Sequence, residues 1–138
     1  MHAALRVGVG ILAALQLVVG CWALFFPRNF FALPVVGMGM AYNQHLMADY
    51  GAMTLASAVV LTVAAINRRP LVVRTSLAMY LVWAVPHFVI HLQMVDRLSP
   101  ATGTVLLILL GAAVLLPLTL LALSIVVERP RRDVGSVR

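Results

Sequence analysis

Of the 138 residues, 63% are hydrophobic and only 10% are charged, and the mean hydropathy is +1.05. Soluble domains run at roughly 45–50% apolar and about 25% charged, so an ordinary water-exposed globule is excluded. The charges are ten arginines and no lysine against Asp49, Asp96, Glu128 and Asp133, giving a net charge of +6 and a pI near 11.1. These arginines fall in short runs between long apolar stretches rather than on a polar-supported basic face, so the pattern points away from nucleic acid and toward the lipid bilayer. The single cysteine, Cys21, excludes an internal disulfide framework and a Cys-based zinc cluster.

Crossing a ~30 Å hydrocarbon core takes ~20 apolar residues, and the chain offers four such segments, predicting an all-α integral membrane four-helix bundle over residues 1–128. The first span covers residues 4–26 and stops at Pro27-Arg28. A lipoprotein-like box, Val18-Val19-Gly20-Cys21, lies within it, but the chain stays apolar through Phe26 where a processed lipoprotein turns polar, so the segment reads as a span. Residues 29–42 are too short to cross and too apolar for a solvated loop. They suit either a segment lying at the interface or dipping back into the bundle, or a plain connector with aromatic anchors. The second span covers residues 43–66 and ends at Asn67-Arg68-Arg69-Pro70. The third covers residues 71–95. The fourth covers residues 100–127 and opens with Ser99-Pro100, an N-cap followed by proline at the first helical position. A basic tail, residues 129–138, completes the chain.

Arginine placement sets the expected orientation. With the N-terminus inside, Arg6, Arg68, Arg69, Arg74, Arg129, Arg131, Arg132 and Arg138 are cytoplasmic and only Arg28 and Arg97 are outside. The positive-inside rule therefore places both termini and the tail in the cytoplasm of a multi-pass inner-membrane protein.

Most polar groups sit at span ends, where charge is cheap. The exceptions cluster in the second and third spans. His45 and Asp49 are four apart, as are His87 and His91, and on a helix residues four apart share a face. Each pair has the spacing by which helical side chains chelate one metal ion. At ~1.5 Å per residue, His45 and Asp49 lie ~3 and ~9 Å inward from Asn43, and His91 and His87 lie ~6 and ~12 Å inward from Val95. The short turn joining the spans makes them antiparallel neighbours, so both pairs occupy the outer leaflet. Below Asp49 the face continues through Ala52 and Ala56, a small-xxx-small pattern that favours close packing in lipid. On the third span the stripe reads Tyr80, Ala84, His87, His91 with Trp83 beside it, and Pro86 removes a hydrogen bond to the Val82 carbonyl, which predicts a kink beside His87.

These observations predict an outer-leaflet pocket lined by His45, Asp49, Tyr80, His87 and His91, with Trp83, Asn43 and Gln44 at its edge. A carboxylate in hydrocarbon costs ~2.5–3.5 kcal/mol or more and needs pairing, neutralisation or solvation. Three solutions stay open. His45, Asp49, His87 and His91 together would hold a divalent metal, Zn, Fe or Cu. Alternatively, Asp49 sets the tautomer and basicity of His45 for metal-free acid–base chemistry or ligand binding. Or the four groups only tie the two spans together, through interhelical bonds of ~0.6 kcal/mol each. The matching functional expectations are a metal-binding protein acting on a lipophilic substrate, as an oxidoreductase or hydrolase; a metal-free isomerase, cyclase or binder; and an accessory subunit of a larger membrane complex or homo-oligomer.

The remaining candidates are weaker. His87 and His91 point the same way and cannot both be axial ligands of one haem. Gln16 and Cys21 fit helix-contact roles, the methionines are filler, and His2 is a solvated terminal residue. Taken together, the Phe-Phe-Pro end of the first span, the opening Asn43-Gln44-His45 with Asp49-Tyr50-Gly51-Ala52, the Arg-rich turn and Pro86-His87 with His91 four on resemble the small four-helix bacterial membrane proteins grouped as DoxX-like, and more closely their uncharacterised actinobacterial relatives. Gln44 stands where that resemblance implies Glu. The resemblance implies a four-helix fold and a membrane location, and little about a reaction beyond occasional links to quinone-coupled oxidation.

Overall fold

The computed structural model describes residues 3–67 and 69–127, and all its regular elements are helices. Four are long: α1 (Ala3–Phe25), α4 (Gln44–Ile66), α5 (Pro70–Met94) and α6 (Pro100–Val127). Each is long and apolar enough to cross a bilayer, which makes the chain a multi-pass membrane protein by length and composition. Their bounds fall within a residue or two of the four spans expected from hydropathy. His2, Arg68 and the 129–138 tail lie outside the described residues.

Local chemistry fixes the ends of these helices. Asn43 caps α4, its side-chain oxygen accepting the Leu46 N–H at 3.0 Å. Ser99 caps α6, its hydroxyl accepting the Thr102 N–H at 3.3 Å, with Pro100 at the first helical position as expected. Pro86 sits inside α5 and Pro117 inside α6, and both helices run on past them.

Residues 29–42 are neither a third crossing nor an open loop. They contribute to two short helices, α2 (Pro27–Phe31) and α3 (Pro34–Gly37), separated by a break at Ala32-Leu33 and ended by a left-handed pair, Met38 (φ 47°) and Gly39 (φ 72°). Phe30 and Met38 are buried. α2 packs on α1 and α4, and α3 reaches α6, so this segment lies over one end of the bundle, here termed the connector end. The opposite end carries the start of α1, the α4–α5 turn and the end of α6.

The four helices run alternately up and down. α1 packs most extensively on α4, and α5 on α6. The α1–α4 contact is made by a reciprocal pair of glycines. A Cβ on Gly20 would lie 2.9 Å from the Leu55 backbone nitrogen, and one on Gly51 would lie 2.7 Å from that of Leu24. Each glycine thus receives a leucine that follows the other glycine by four residues, and the two backbones meet with nothing between them. The expectation from Ala52 and Ala56 placed the tight small-residue seam between the second and third spans. Both alanines are exposed, and the seam lies between the first and second.

The main hydrophobic core, in the terminal half of the bundle, gathers Leu5, Val9 and Leu12 of α1, Leu61 and Ala64 of α4, Val73, Leu77 and Tyr80 of α5, and Leu120 of α6. Two polar ties join neighbouring helices toward the terminal end. Ser76 donates to the Val72 carbonyl at 2.8 Å and reaches the Val60 carbonyl of α4 at 3.4 Å. Arg74 donates to the Ser124 carbonyl of α6 at 2.8 Å.

The glycine contact yields a direct test. Gly51→Ala should cost roughly 1–3 kcal/mol, the usual penalty for overpacking, read as a lowered midpoint of thermal unfolding in mild detergent. Gly111→Ala, where a Cβ would meet nothing within 4 Å, should leave the midpoint unchanged or raise it.

Candidate functional site

The buried residues of α4 are Met47, Gly51, Thr54, Ser57, Ala58, Leu61 and Ala64, one helical stripe. His45 and Asp49 each lie two positions from Met47, about 200° around the axis, and so face away from the bundle. Their side chains approach each other, His45 Nε2 to Asp49 Oδ2 at 3.2 Å, with 88% and 59% of their surface exposed. On α5 the buried stripe Val73, Ser76, Leu77, Tyr80, Leu81, Ala84 continues by the same spacing into His87 and His91, both half-buried. The α5 pair therefore looks into the bundle and the α4 pair looks out of it.

This geometry bears on the four-residue metal centre formed by His45, Asp49, His87 and His91. Among the described residues, no three His, Cys, Asp or Glu side chains come together closely enough to hold a metal ion. The spacing within each pair is as the sequence predicts; the rotation of α4 about its own axis separates the pairs. That rotation is set by Gly51, which must face Leu24 of α1, leaving Asp49 on the far side. The same turn removes His45 and Asp49 from the expected pocket lining. Asn43 is occupied as the α4 cap, and Gln44 is exposed.

What faces His87 instead is Tyr50, which sits next to Gly51 and so flanks the α5 side of α4. Its ring lies 6.0 Å from that of His87 at an interplanar angle of 29° and 6.0 Å from Trp83. Trp83 stacks on His87 at 4.6 Å and 18°, and His87 meets His91 edge-on at 4.5 Å. Tyr80 adjoins Trp83 at 6.0 Å and is itself buried in the core. On the other side Tyr50 stacks on Phe30 at 5.8 Å, and Phe30 meets Trp22 at 5.5 Å. A continuous run of rings therefore passes from α1 through the connector to α4 and α5 at the connector end. Tyr80, Trp83, His87 and His91 belong to it as the sequence reading grouped them. Tyr50 and Phe30 were missed, although Tyr50 stands directly beside the Gly51 that orients it.

The imidazoles supply the site's chemistry. The Nδ1 atom of His91 is buried and has no hydrogen-bond partner. A polar nitrogen in an aromatic wall, shielded from solvent and unpaired, is a position where a donor or acceptor on another molecule gains a bond without displacing a protein partner. His87, the ring that His91 touches, is itself stacked on Trp83, so the imidazole pair is backed by an apolar ring.

Comparison with protein-family models, curated proteins and solved structures returned no match. The DoxX-like resemblance therefore rests on its short motifs.

The outward placement of the α4 pair has a measurable consequence. Exposed ion pairs contribute about 1 kcal/mol or less, so Asp49→Asn and His45→Ala should each shift the unfolding midpoint only slightly. Trp83→Ala, which removes the ring joining Tyr80, Tyr50 and His87, should lower it several-fold more in the same detergent.

Proposed function

We propose that the chain is an inner-membrane protein that binds a flat, lipophilic small molecule carrying a hydrogen-bonding head group, held at the connector end between α4 and α5. Tyr50 and Trp83 form the aromatic wall of the site, and His87 and His91 bind the head group. The observation that carries this reading is the buried, unpartnered Nδ1 of His91 beside the stacked pair Trp83–His87. Ligand sites in membrane bundles combine this apolar lining with few, convergent polar groups, and an ionisable residue inside a span marks a functional site more often than a structural one.

Both termini are assigned to the cytoplasm. The support is the arginine distribution along the sequence, eight in the segments expected inside against Arg28 and Arg97 in the segments expected outside. The ring cluster then opens to the outer leaflet, from which a lipophile reaches it without crossing the polar headgroups twice. Among the described residues no three metal-ligating side chains converge, so the reading requires no metal; His87 and His91 act as hydrogen-bonding groups.

The test is the composition of the purified protein. Organic extracts of full-length chain isolated in mild detergent should contain one lipophilic compound at near-equimolar amount. It should be lost from His91→Leu and Trp83→Leu protein and retained by Asp49→Asn. An extract holding only phospholipid, together with no quenching of tryptophan emission by added aromatic lipophiles, overturns the proposal. Stoichiometric metal in the parent that disappears with His87→Ala would replace it with a metal-centred reading.

A further inference from the structure

The terminal end of the bundle carries a second site of different chemistry. A cleft of about 380 Å³ opens between the start of α1 and the end of α4, lined by Ala3, Arg6, Val7, Ala65 and Ile66. Its walls are apolar except for Arg6. That guanidinium has no hydrogen-bond or ion-pair partner among the described residues. Both described acidic side chains, Asp49 and Asp96, lie at the connector end, so no described carboxylate is near enough to neutralise it. Arg69, three residues past Ile66, is tethered within ~11 Å of the cleft by the reach of the chain and is also exposed.

We propose that this cleft binds one anionic phospholipid. Arg6 meets the phosphate, with Arg69 adding to the local positive potential. Val7, Ala65 and Ile66 cover the upper part of an acyl chain. The complementarity is twofold. A membrane-spanning surface is wetted by lipid wherever it is not protein-covered, and Val7 and Ile66 are 62% and 72% exposed. A guanidinium one turn inside a span reaches outward to the headgroup level, where phosphate is the available anion. Basic pockets between helices on the cytoplasmic side favour anionic head groups.

The experiment is native mass spectrometry of the full-length chain in detergent, with equal amounts of phosphatidylglycerol and phosphatidylcholine of matched acyl chains. One arginine near the surface corresponds to about a fivefold preference, so the parent should carry the phosphatidylglycerol adduct in about that excess. Arg6→Gln should bring the two lipids close to parity, and Arg6→Lys should keep most of the preference. Ile66→Trp fills the apolar wall at an exposed position, leaves Arg6 in place, and should lower retention of both lipids. Arg97→Gln, at the other end, should change nothing. Absence of preference in the parent overturns the proposal. So does an unchanged preference in Arg6→Gln. Displacement of the lipid by soluble glycerol phosphate would also overturn it, in favour of a free phosphate-ester site.

Discussion

The placement of the chemistry in this protein follows from the backbone contact between α1 and α4. Lipid tails are as apolar as leucine, so helices in a bilayer associate through close packing rather than through exclusion of water. Gly20 and Gly51 supply that packing reciprocally, each admitting the leucine four residues past the other. Once Gly51 faces α1, every other side chain of α4 has its direction. Met47, Thr54 and Leu61 point inward, Tyr50 is turned to α5, and His45 with Asp49 is turned out. A Cβ at either glycine would separate the helices and change which α4 side chains meet His87.

Polar groups within the spans are handled in ways suited to a low-dielectric surrounding. Thr54, Ser57, Thr62 and Ser76 each return a hydroxyl hydrogen bond to a carbonyl four residues back, so their donors are satisfied within their own helix. Arg74 spends its charge on the Ser124 carbonyl across the α5–α6 seam. The Asp49 carboxylate is partnered by His45. Against this pattern of satisfaction the buried amide nitrogen of Gln16 and the Nδ1 of His91 stand out as unpaired. Of the two, only His91 lies among stacked rings at an end of the bundle, which is why the proposed ligand site is placed there.

Much of the fold was legible in the sequence because hydropathy and helix punctuation are local signals. Pro27, Asn67, Pro70 and the Ser99-Pro100 pair end or begin helices by their own backbone chemistry, and the four spans fall where those residues put them. The pairing of His45 with Asp49 and of His87 with His91 was also legible, being set by the 3.6-residue turn. The relation between the two pairs was not. Matching depth along antiparallel helices fixes height and leaves rotation free, and the small residues Ala52 and Ala56 gave a false indication of which face packs. The stripe Met47, Gly51, Thr54, Ala58, Leu61 was equally present and contained the one residue, glycine, that permits backbone contact. The connector's two short helices were indistinct for a related reason: their order comes from Phe30 and Met38 packing on other elements, and no local period announces that.

The seam between α4 and α5 differs in kind from the seam between α1 and α4, and the difference bears on function. Where glycines meet, interhelical space is minimal and nothing can enter without displacing backbone. Between α4 and α5 toward the connector end, the space is set by the rings of Tyr50, Trp83 and His87, with centroids 4.6 to 6.0 Å apart. Ring spacers hold helices farther apart than glycines do, and a ring can rotate, which a backbone contact cannot. The α1–α4 pair thus positions Tyr50, and the α5 stripe presents His87 to it across a ring contact. The proposed site for a flat lipophile rests on that combination: one wall fixed by packing, and an opposing face whose contacts are aromatic rather than interlocked.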